Sequence, residues 1–194
     1  MNEKECVLCG STEIKIIFSS PLNNTKKIEQ FGFSPTVSDF GVFYKLAQCQ
    51  ECGVVFSLLD NQDLTLSYSA SNDDLYLNQA LERTVTYKRI LRDIKKFVSD
   101  NACFLDVGCS YGLLLKLAKE VGSKVYGVEL SENACRYARE KLGLNVVCAD
   151  VAEIKFSNNY FDVITAIEII EHLSNPKNFI LHMYKILKPG GYYI

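Results

Sequence analysis

The sequence lacks the run of roughly 18 consecutive apolar residues that a membrane-spanning helix needs, so we expect no transmembrane segment. Its start, MNEKECVLCG, lacks the basic-then-apolar order of a secretory signal peptide. It also lacks any run of Lys and Arg, and a net charge of −2 gives no general attraction to nucleic acid or to an anionic membrane. We therefore expect a cytoplasmic protein with neither a nucleic acid nor a membrane as its partner.

What the sequence does contain is enough apolar material for a core. It has 194 residues, of which 48% are hydrophobic, and this suits one domain or one and a half. Eight cysteines are present, four of them in two C-x-x-C-G units. The other four are scattered through apolar or helical stretches: Cys103, Cys109, Cys135 and Cys148. In a reducing cytosol we expect these four to be free thiols that pack as small hydrophobic residues and do not form disulfides.

The two C-x-x-C-G units predict a metal site. Cys6 and Cys9 form the first pair, and Cys49 and Cys52 form the second. A C-x-x-C turn lets two thiolates reach one ion, and structural zinc takes four such ligands. The alternative is that the two pairs bind no metal, either because their spacing is a coincidence or because a metal site has been lost. A thioredoxin-like redox role is disfavoured, because neither pair lies between a strand and a helix.

The residue pattern divides the chain into three zones. Residues 1–60 combine the cysteine pairs with strand-like runs at 13–18, 41–49 and 53–59, as expected for a zinc ribbon. Because this ribbon is not conspicuously basic, a structural or substrate-presenting role is favoured over nucleic-acid binding. Residues 61–100 are interpreted as a linker (61–73) followed by a helix from Asp74 to about Val98, and 101–194 form the third zone.

In the third zone, apolar strand patterns alternate with amphipathic helix patterns. This alternation predicts an α/β fold, a Rossmann-like doubly wound parallel sheet. We predict strands at 103–108, 124–130, 145–150 and 160–169, and helices at 111–121, 131–142 and 176–187. The sequence stops as a fifth strand begins after KPGG, so we expect a sheet that is incomplete at its C-terminus, either in a fragment or in a pared-down domain.

The loop after the first of these strands, FLDVGCSYG, resembles a nucleotide-binding turn with one glycine missing. Gly108 and Gly112 are present, but Ser110 occupies the position of the middle glycine of G-x-G-x-x-G. Asp106 at the strand end would repel a pyrophosphate and would favour a cationic ligand. S-adenosylmethionine carries an ammonium and a sulfonium and no phosphate, so it suits this loop better than NAD does.

Two further carboxylates follow the next two strands. Glu129 is placed to accept hydrogen bonds from both hydroxyls of a ribose, and Asp150 could accept one from an adenine amine. Acidic residues often follow strands, so each one alone is a weak signal. Three in order on one edge of a parallel sheet predict a ligand site.

These stretches resemble the class I S-adenosylmethionine-dependent methyltransferases, through LDVGCSYG, VYGVELSE, VVCAD, FDVITAIEIIEHLSNP and LKPGGYYI. The resemblance implies that Asp106, Gly108 and Gly112 shape the methionine end of the site, with Glu129 on the ribose and Asp150 on the adenine. We assign three adjacent residues to the same cofactor site: Cys109, Leu130 and Val151.

The family usually has glycine where this sequence has Ser110, which we expect to be accommodated by a negative φ. The cysteine pairs and the long helix ahead of this domain resemble a methyltransferase subgroup that carries a zinc ribbon. Such proteins are frequently linked to methylation of sugars, polysaccharides or other small molecules. The resemblance therefore implies a small-molecule acceptor, with a sugar or polysaccharide precursor as one candidate.

The stretch after the fourth strand carries Glu168, Glu171 and His172, which would share one face if this segment were helical. The interpretation with most support is that Glu168 lines the cofactor pocket while the other two brace a helix. A general base at His172 and a divalent metal bound by all three are alternatives. Glu168 and His172 are the candidate catalytic residues.

The sequence therefore predicts an S-adenosylmethionine-dependent methyltransferase with a zinc ribbon. A non-catalytic module, which binds cofactor or a partner without turnover, is the rival from another class. An NAD-dependent enzyme is the third interpretation, and Asp106 and Ser110 argue against it. The acceptor, the atom methylated and the oligomeric state cannot be derived from these residues.

Overall fold

The computed structural model describes residues 5–19, 45–58, 80–173 and 175–194. The predicted linker at 61–73 and the predicted helix start at Asp74 lie outside these residues. The chain divides into two compact units, one with a three-stranded sheet and the other with a five-stranded sheet. The finer boundaries at residues 60 and 100 stay a prediction.

The smaller unit contains an antiparallel sheet. Its strands are β1 (Ile14–Phe18), β2 (Leu46–Cys49) and β3 (Val55–Ser57), and they lie in that order. Each falls inside a stretch predicted as a strand. The pairing of Ile14 with Cys49 places the first residue of β1 beside the last residue of β2, so the second cysteine pair begins directly at the sheet.

The larger unit contains the predicted parallel sheet, with the order β6-β5-β4-β7-β8. All five residues of β4 are buried, as expected for a central strand covered on both faces. The chain runs outward from β4 to β6 and then returns to the other side of β4, which creates the switch point where such sheets bind ligands. The strands are β4 (Cys103–Val107), β5 (Lys124–Glu129), β6 (Val146–Cys148), β7 (Phe161–Thr165) and β8 (Leu187–Tyr193).

In the part of the chain that the structure describes, four helices cover this sheet: α1 (Ala80–Ile94), α2 (Leu113–Glu120), α3 (Glu132–Glu140) and α4 (Pro176–Ile186). Leu91 and Ile94 of α1 share one apolar cluster with residues of α2 and α3, whereas α4 contributes to a second cluster. The Ser131 hydroxyl caps the start of α3, because it accepts a hydrogen bond from the Ala134 N–H. Within the described residues, no helix combines the length and the apolar character needed to cross a membrane.

The segment after β7 differs from the prediction. The strand ends at Thr165, Glu168 has a left-handed φ of 55°, and only a 3₁₀ turn at Ile170–His172 follows. The predicted strand is therefore shorter than 160–169, and the condition under which Glu168, Glu171 and His172 would share one helical face is not met. A residue with positive φ interrupts the helical path before the turn begins.

Candidate functional site

The loop from Gly108 to Gly112 is fixed by backbone contacts with the end of β5. The N–H groups of Gly108 and Cys109 both donate to the Val128 carbonyl, at 2.8 and 3.0 Å. Gly108, Ser110 and Gly112 have φ values of 69°, 48° and 83°. The expectation of a negative φ at Ser110 is therefore wrong: the loop keeps the left-handed conformation that glycine prefers, although a serine occupies the position.

Glu129 explains this conformation. Its Oε2 accepts a hydrogen bond from the Ser110 N–H at 2.8 Å, and its Oε1 accepts from the N–H groups of Leu130 and Ser131, both at 2.8 Å. A carboxylate has about four acceptor positions, so roughly one remains, on Oε2. Glu129 thus joins the loop after β4 to the start of α3 while keeping limited capacity for a ligand hydroxyl.

Asp106 is almost fully buried at the end of β4. Its Oδ1 accepts a hydrogen bond from the Thr165 hydroxyl at 2.7 Å, across the β4–β7 pairing. Burial raises the pKa of Asp106 to about 7; the Thr165 hydrogen bond lowers it, and the Glu129 carboxylate nearby raises it further. The carboxylate is therefore costly to ionise until a positive charge is placed beside it.

Asp150 precedes a 3₁₀ turn at Val151–Glu153 and caps it. Its Oδ1 accepts a hydrogen bond from the Ala152 N–H at 2.8 Å. Val151 is half-buried against the second apolar cluster. One carboxylate oxygen of Asp150 thus has a structural role, and the other is the atom that the predicted adenine contact would use.

Cys109 points away from the ligand edge. Its side chain is buried in the first apolar cluster, and its sulfur would lie 2.7 Å from a Cβ added at Gly127. The same added atom would lie 2.6 Å from Leu115 Cδ1, so a larger residue at this position of β5 would require these side chains to shift. Sequence reasoning missed Gly127, because a lone glycine inside a strand does not reveal which side chain fills its space.

The loop after β7 contacts the loop after β4. Ile169 Cδ1 lies 2.1 Å from the position that a Cβ on Gly108 would occupy, so the isoleucine side chain rests directly on this glycine. Sequence reasoning missed this contact and the Thr165–Asp106 hydrogen bond, since both are tertiary. The two loops flank the switch point of the sheet.

His172 is half-buried at the end of the 3₁₀ turn. Desolvation lowers its pKa, and the carboxylates of Glu171 and Glu168 partly offset this effect. The imidazole is therefore mainly neutral at pH 7. Among the described residues only the four paired cysteines bring three or more potential metal-ligand atoms together, so Glu168, Glu171 and His172 do not form a ready metal site.

The four paired cysteines do converge, with all their sulfurs within 4.8 Å of one another. The Cys6 and Cys52 sulfurs are 3.6 Å apart, and so are those of Cys9 and Cys49. A tetrahedral zinc with Zn–S bonds of about 2.3 Å would separate its sulfurs by about 3.8 Å. All four thiols are free, so the residues present fit such an ion.

The two cysteine pairs have the same backbone geometry. The N–H of the first cysteine donates five residues ahead in each pair, from Cys6 to the Ser11 carbonyl at 2.8 Å and from Cys49 to the Val54 carbonyl at 2.9 Å. Gly10 follows the first pair with a φ of 77°, and the equivalent glycine after the second has a φ of 76°. Two matching turns facing each other are typical of zinc ribbons.

Comparison with known proteins supports the interpretation of the larger unit. Residues 105–194 match the family model described as a methyltransferase domain, a little under half of the chain. The ubiquinone biosynthesis O-methyltransferase of Coxiella burnetii is 35% identical over 92 residues, which are 45% of this chain and 39% of that protein. The mitochondrial ubiquinone biosynthesis O-methyltransferase of Dictyostelium discoideum is 37% identical over 103 residues, covering 45% of this chain and 32% of that protein. The chain spans less than half the length of the curated relatives that it matches.

Solved structures give the same fold. A SAM-dependent methyltransferase from Archaeoglobus fulgidus has a TM-score of 0.52 and 26% identity, covering 62% of this chain and 57% of that one. An S-adenosyl-L-methionine-dependent methyltransferase of Methanococcus maripaludis, with a TM-score of 0.51, 19% identity and coverage of 57% and 52%, shares the fold alone. Residues 105–194 thus form a methyltransferase domain, and the resemblance to the class I S-adenosylmethionine-dependent family is confirmed.

Proposed function

We propose that this protein transfers a methyl group from S-adenosylmethionine to a hydroxyl of a small molecule. One observation carries this proposal: the segment that matches the methyltransferase family model bears Asp106, Glu129 and Asp150 at or just after the ends of three strands of the parallel sheet. The names of the curated relatives support an oxygen atom on a small molecule as the acceptor. The ribbon ahead of the domain favours a sugar-type acceptor within this class, and the cytoplasm is the compartment in which we expect the reaction.

The side chains at the ends of β4 and β5 suit the proposed cofactor chemically. S-adenosylmethionine, when bound, supplies a methyl group on a positively charged sulfonium. Asp106 is buried with an elevated pKa, so a cation nearby would favour its ionised form. Glu129 retains about one acceptor position for a ribose hydroxyl. We assign the methionine end to Gly108, Gly112 and the adjoining Cys109 backbone.

The adenosine end is assigned to the next two strand ends. Asp150 has one carboxylate oxygen turned to the Ala152 N–H, and its second oxygen would accept from the adenine amine. Leu130 and Val151 follow the two carboxylates directly, and both are half-buried, so they would offer apolar surface to the base. A pyrophosphate in place of the cation would face the Asp106 carboxylate, which disfavours NAD.

His172 is the residue that we assign to remove the acceptor proton. A mainly neutral imidazole accepts a proton at pH 7, and a positioned base contributes roughly 10²–10⁴-fold to such a reaction. Glu168 has an exposed side chain and an unfavourable φ, a kind of strain that is often kept at functional sites. We assign Glu168 to orient the acceptor beside His172.

For the smaller unit we propose a zinc ion held by Cys6, Cys9, Cys49 and Cys52. The ion would join two turns that are distant in sequence, and its binding energy would contribute to folding of this small unit. We propose that the ribbon is structural or presents the acceptor. The ribbon is not conspicuously basic, which disfavours a nucleic acid as its partner.

The experiment that tests the proposed function is a turnover assay with S-adenosylmethionine and a panel of small hydroxyl compounds, including nucleotide sugars. Formation of the demethylated cofactor, together with an acceptor heavier by one methylene, is expected for at least one compound. His172→Gln should lower turnover by roughly 10²–10⁴-fold while preserving cofactor binding. Cofactor binding without turnover for every acceptor would instead favour the non-catalytic module.

A further inference from the structure

Two buried polar side chains meet where β4 pairs with β7. Asp106 and Thr165 are partners in the parallel register, and their exposed fractions are only 5% and 0%. The Thr165 hydroxyl oxygen lies 2.7 Å from Asp106 Oδ1 and 3.3 Å from the carbonyl oxygen of Leu105. Because a hydroxyl has a single hydrogen to donate, Thr165 has two acceptors within reach and one hydrogen to share between them.

These two acceptors suit the two protonation states of Asp106. When Asp106 is ionised, the Thr165 hydroxyl donates to Oδ1. When Asp106 is protonated, its own O–H donates to the Thr165 oxygen over the same short contact, and the Thr165 hydrogen turns to the Leu105 carbonyl. Neither state leaves a buried polar hydrogen without an acceptor, so Thr165 accommodates both forms at low cost.

The surroundings of Asp106 favour its protonated form before a cation arrives. Burial raises the pKa of this carboxyl group to about 7; the Thr165 hydrogen bond opposes the increase, and the Glu129 carboxylate on β5 adds to it. The Cys109 thiol, in the loop after β4, is a further titratable group beside Asp106. Burial raises its pKa well above the ordinary value, so it stays neutral near pH 7.

We propose that Asp106 releases its proton when S-adenosylmethionine binds, and that Thr165 is the positioning residue for both forms of the carboxyl group. This inference rests on the proposed function, which brings the ammonium and sulfonium of the cofactor to the end of β4. The Asp106 proton passes to the buffer, and the Thr165 hydrogen turns from the Leu105 carbonyl to Oδ1. Because the site must lose a proton to bind the cation, the affinity falls as pH falls.

The first test counts the protons released on binding. Calorimetric titration of the zinc-loaded full chain with S-adenosylmethionine, at about pH 6 in buffers of different ionisation enthalpy, gives this number. We expect roughly 0.9 proton per cofactor for wild type, since a group with a pKa of about 7 is mostly protonated at this pH. The α-amino group of the cofactor, whose pKa is about 7.7–8.0, is already protonated and contributes almost nothing.

Two variants assign the released proton to its residue. Asp106→Asn has no carboxyl proton to lose and should release none, although we expect it to bind the cofactor more weakly. His172→Gln removes the half-buried imidazole of the loop after β7 and should release the same number of protons as wild type. Equal release by Asp106→Asn and wild type would place the proton on another group and overturn the inference.

The second test concerns Thr165 and begins without cofactor. Thr165→Val is close in shape and lacks the hydroxyl, so the pKa of Asp106, followed through its carboxyl carbon by NMR, should rise. The affinity for S-adenosylmethionine at pH 7 should weaken by roughly tenfold, because hydrogen bonds to charged groups are the stronger ones. Thr165→Ser keeps the hydroxyl and should restore both values. An unchanged pKa in Thr165→Val would leave Thr165 with a packing role only.

The outcomes separate this inference from the proposed function. Cofactor binding with no release of protons at about pH 6 would overturn the coupling and leave the proposed function intact. A folded protein that gives no binding heat in any of the buffers would refute both. In that case the cofactor-free titration would still decide whether Thr165 controls the ionisation of Asp106.

Discussion

Ser110 donates its backbone N–H to Glu129 Oε2 at 2.8 Å, and this contact joins the loops that follow two neighbouring strands. The same carboxylate accepts from Leu130 and Ser131, so one side chain organises the turn after β4 and the start of α3. Glu129 therefore has a structural function in the cofactor-free protein as well as its proposed contact with ribose. A ligand hydroxyl would join an existing network rather than create one.

Replacing Ser110 tests the strain in this loop. An L-residue at a φ of 48° costs about 1–2 kcal/mol relative to the right-handed region, and glycine escapes this cost but loses more entropy on folding. We expect Ser110→Gly to raise the free energy of unfolding by about 0.5–1 kcal/mol in urea denaturation. Ser110→Val, which is β-branched, should lower it. Equal effects of the two substitutions would contradict the positive φ.

Asp106 predicts a pH-dependent stability. Between about pH 4 and pH 7 the unfolded chain has released the Asp106 proton while the folded chain retains it, so the free energy of unfolding falls as pH rises. Asp106→Asn keeps an acceptor for Thr165 and removes this dependence. We expect the variant to be more stable than wild type at pH 8 by an amount on the order of 1–4 kcal/mol, with a much smaller difference near pH 5.

The matched control for this prediction is Asp100→Asn. Asp100 is a surface residue that pairs with Lys95 at 3.2 Å, and surface pairs contribute about 0–1 kcal/mol. Its stability difference from wild type should change little with pH. Urea unfolding of all three proteins at both pH values decides the matter, and an Asp106→Asn difference that is constant with pH would exclude a raised pKa.

His172→Gln is expected to lower kcat by roughly 10²–10⁴-fold with little change in cofactor affinity, because the imidazole is assigned to proton removal alone. Since desolvation lowers the His172 pKa, the wild-type rate should hold until the pH drops below the ordinary histidine value of about 6.5. His182→Gln on α4 is the matched control and should leave kcat unchanged. A similar loss in both variants would indicate a general effect on folding.

The four-cysteine site predicts one zinc ion per chain. Cys49→Ser should lose that ion, as should treatment with a strong chelator, because three thiolates and a hydroxyl bind zinc far less tightly than four thiolates. Metal analysis of the purified protein measures the stoichiometry. Cys148→Ser lies outside the ribbon and should retain full zinc content; zinc loss from this control instead would place the metal elsewhere.

The sequence was sufficient for the features that depend on local pattern. Buried strands such as β4 and amphipathic helices such as α3 are encoded within a few residues, and so the strand-end positions of Asp106, Glu129 and Asp150 could be predicted. The matching cysteine turns were predictable for the same reason. Each of these features depends on a short stretch of sequence that has one dominant physical explanation.

The features that could not be predicted depend on contacts across the fold. The sign of φ at Ser110 is set by a carboxylate on another strand. The strand predicted over 160–169 ends at Thr165, and the segment that follows contains a left-handed Glu168 and a 3₁₀ turn, with Ile169 beside Gly108. The limited space at position 127 arises from the Leu115 and Cys109 side chains. A periodicity argument carries no information about such tertiary neighbours.

Calorimetric titration of the zinc-loaded chain with S-adenosylmethionine, for wild type beside Glu129→Ala and the surface control Glu140→Ala, measures directly whether the strand ends bind this cofactor. We expect one binding site in wild type and in the control, with binding weakened at least about tenfold in Glu129→Ala through loss of the ribose contact and of the loop network. A folded wild-type protein that produces no binding heat, or an affinity unaffected by Glu129→Ala, would contradict this expectation.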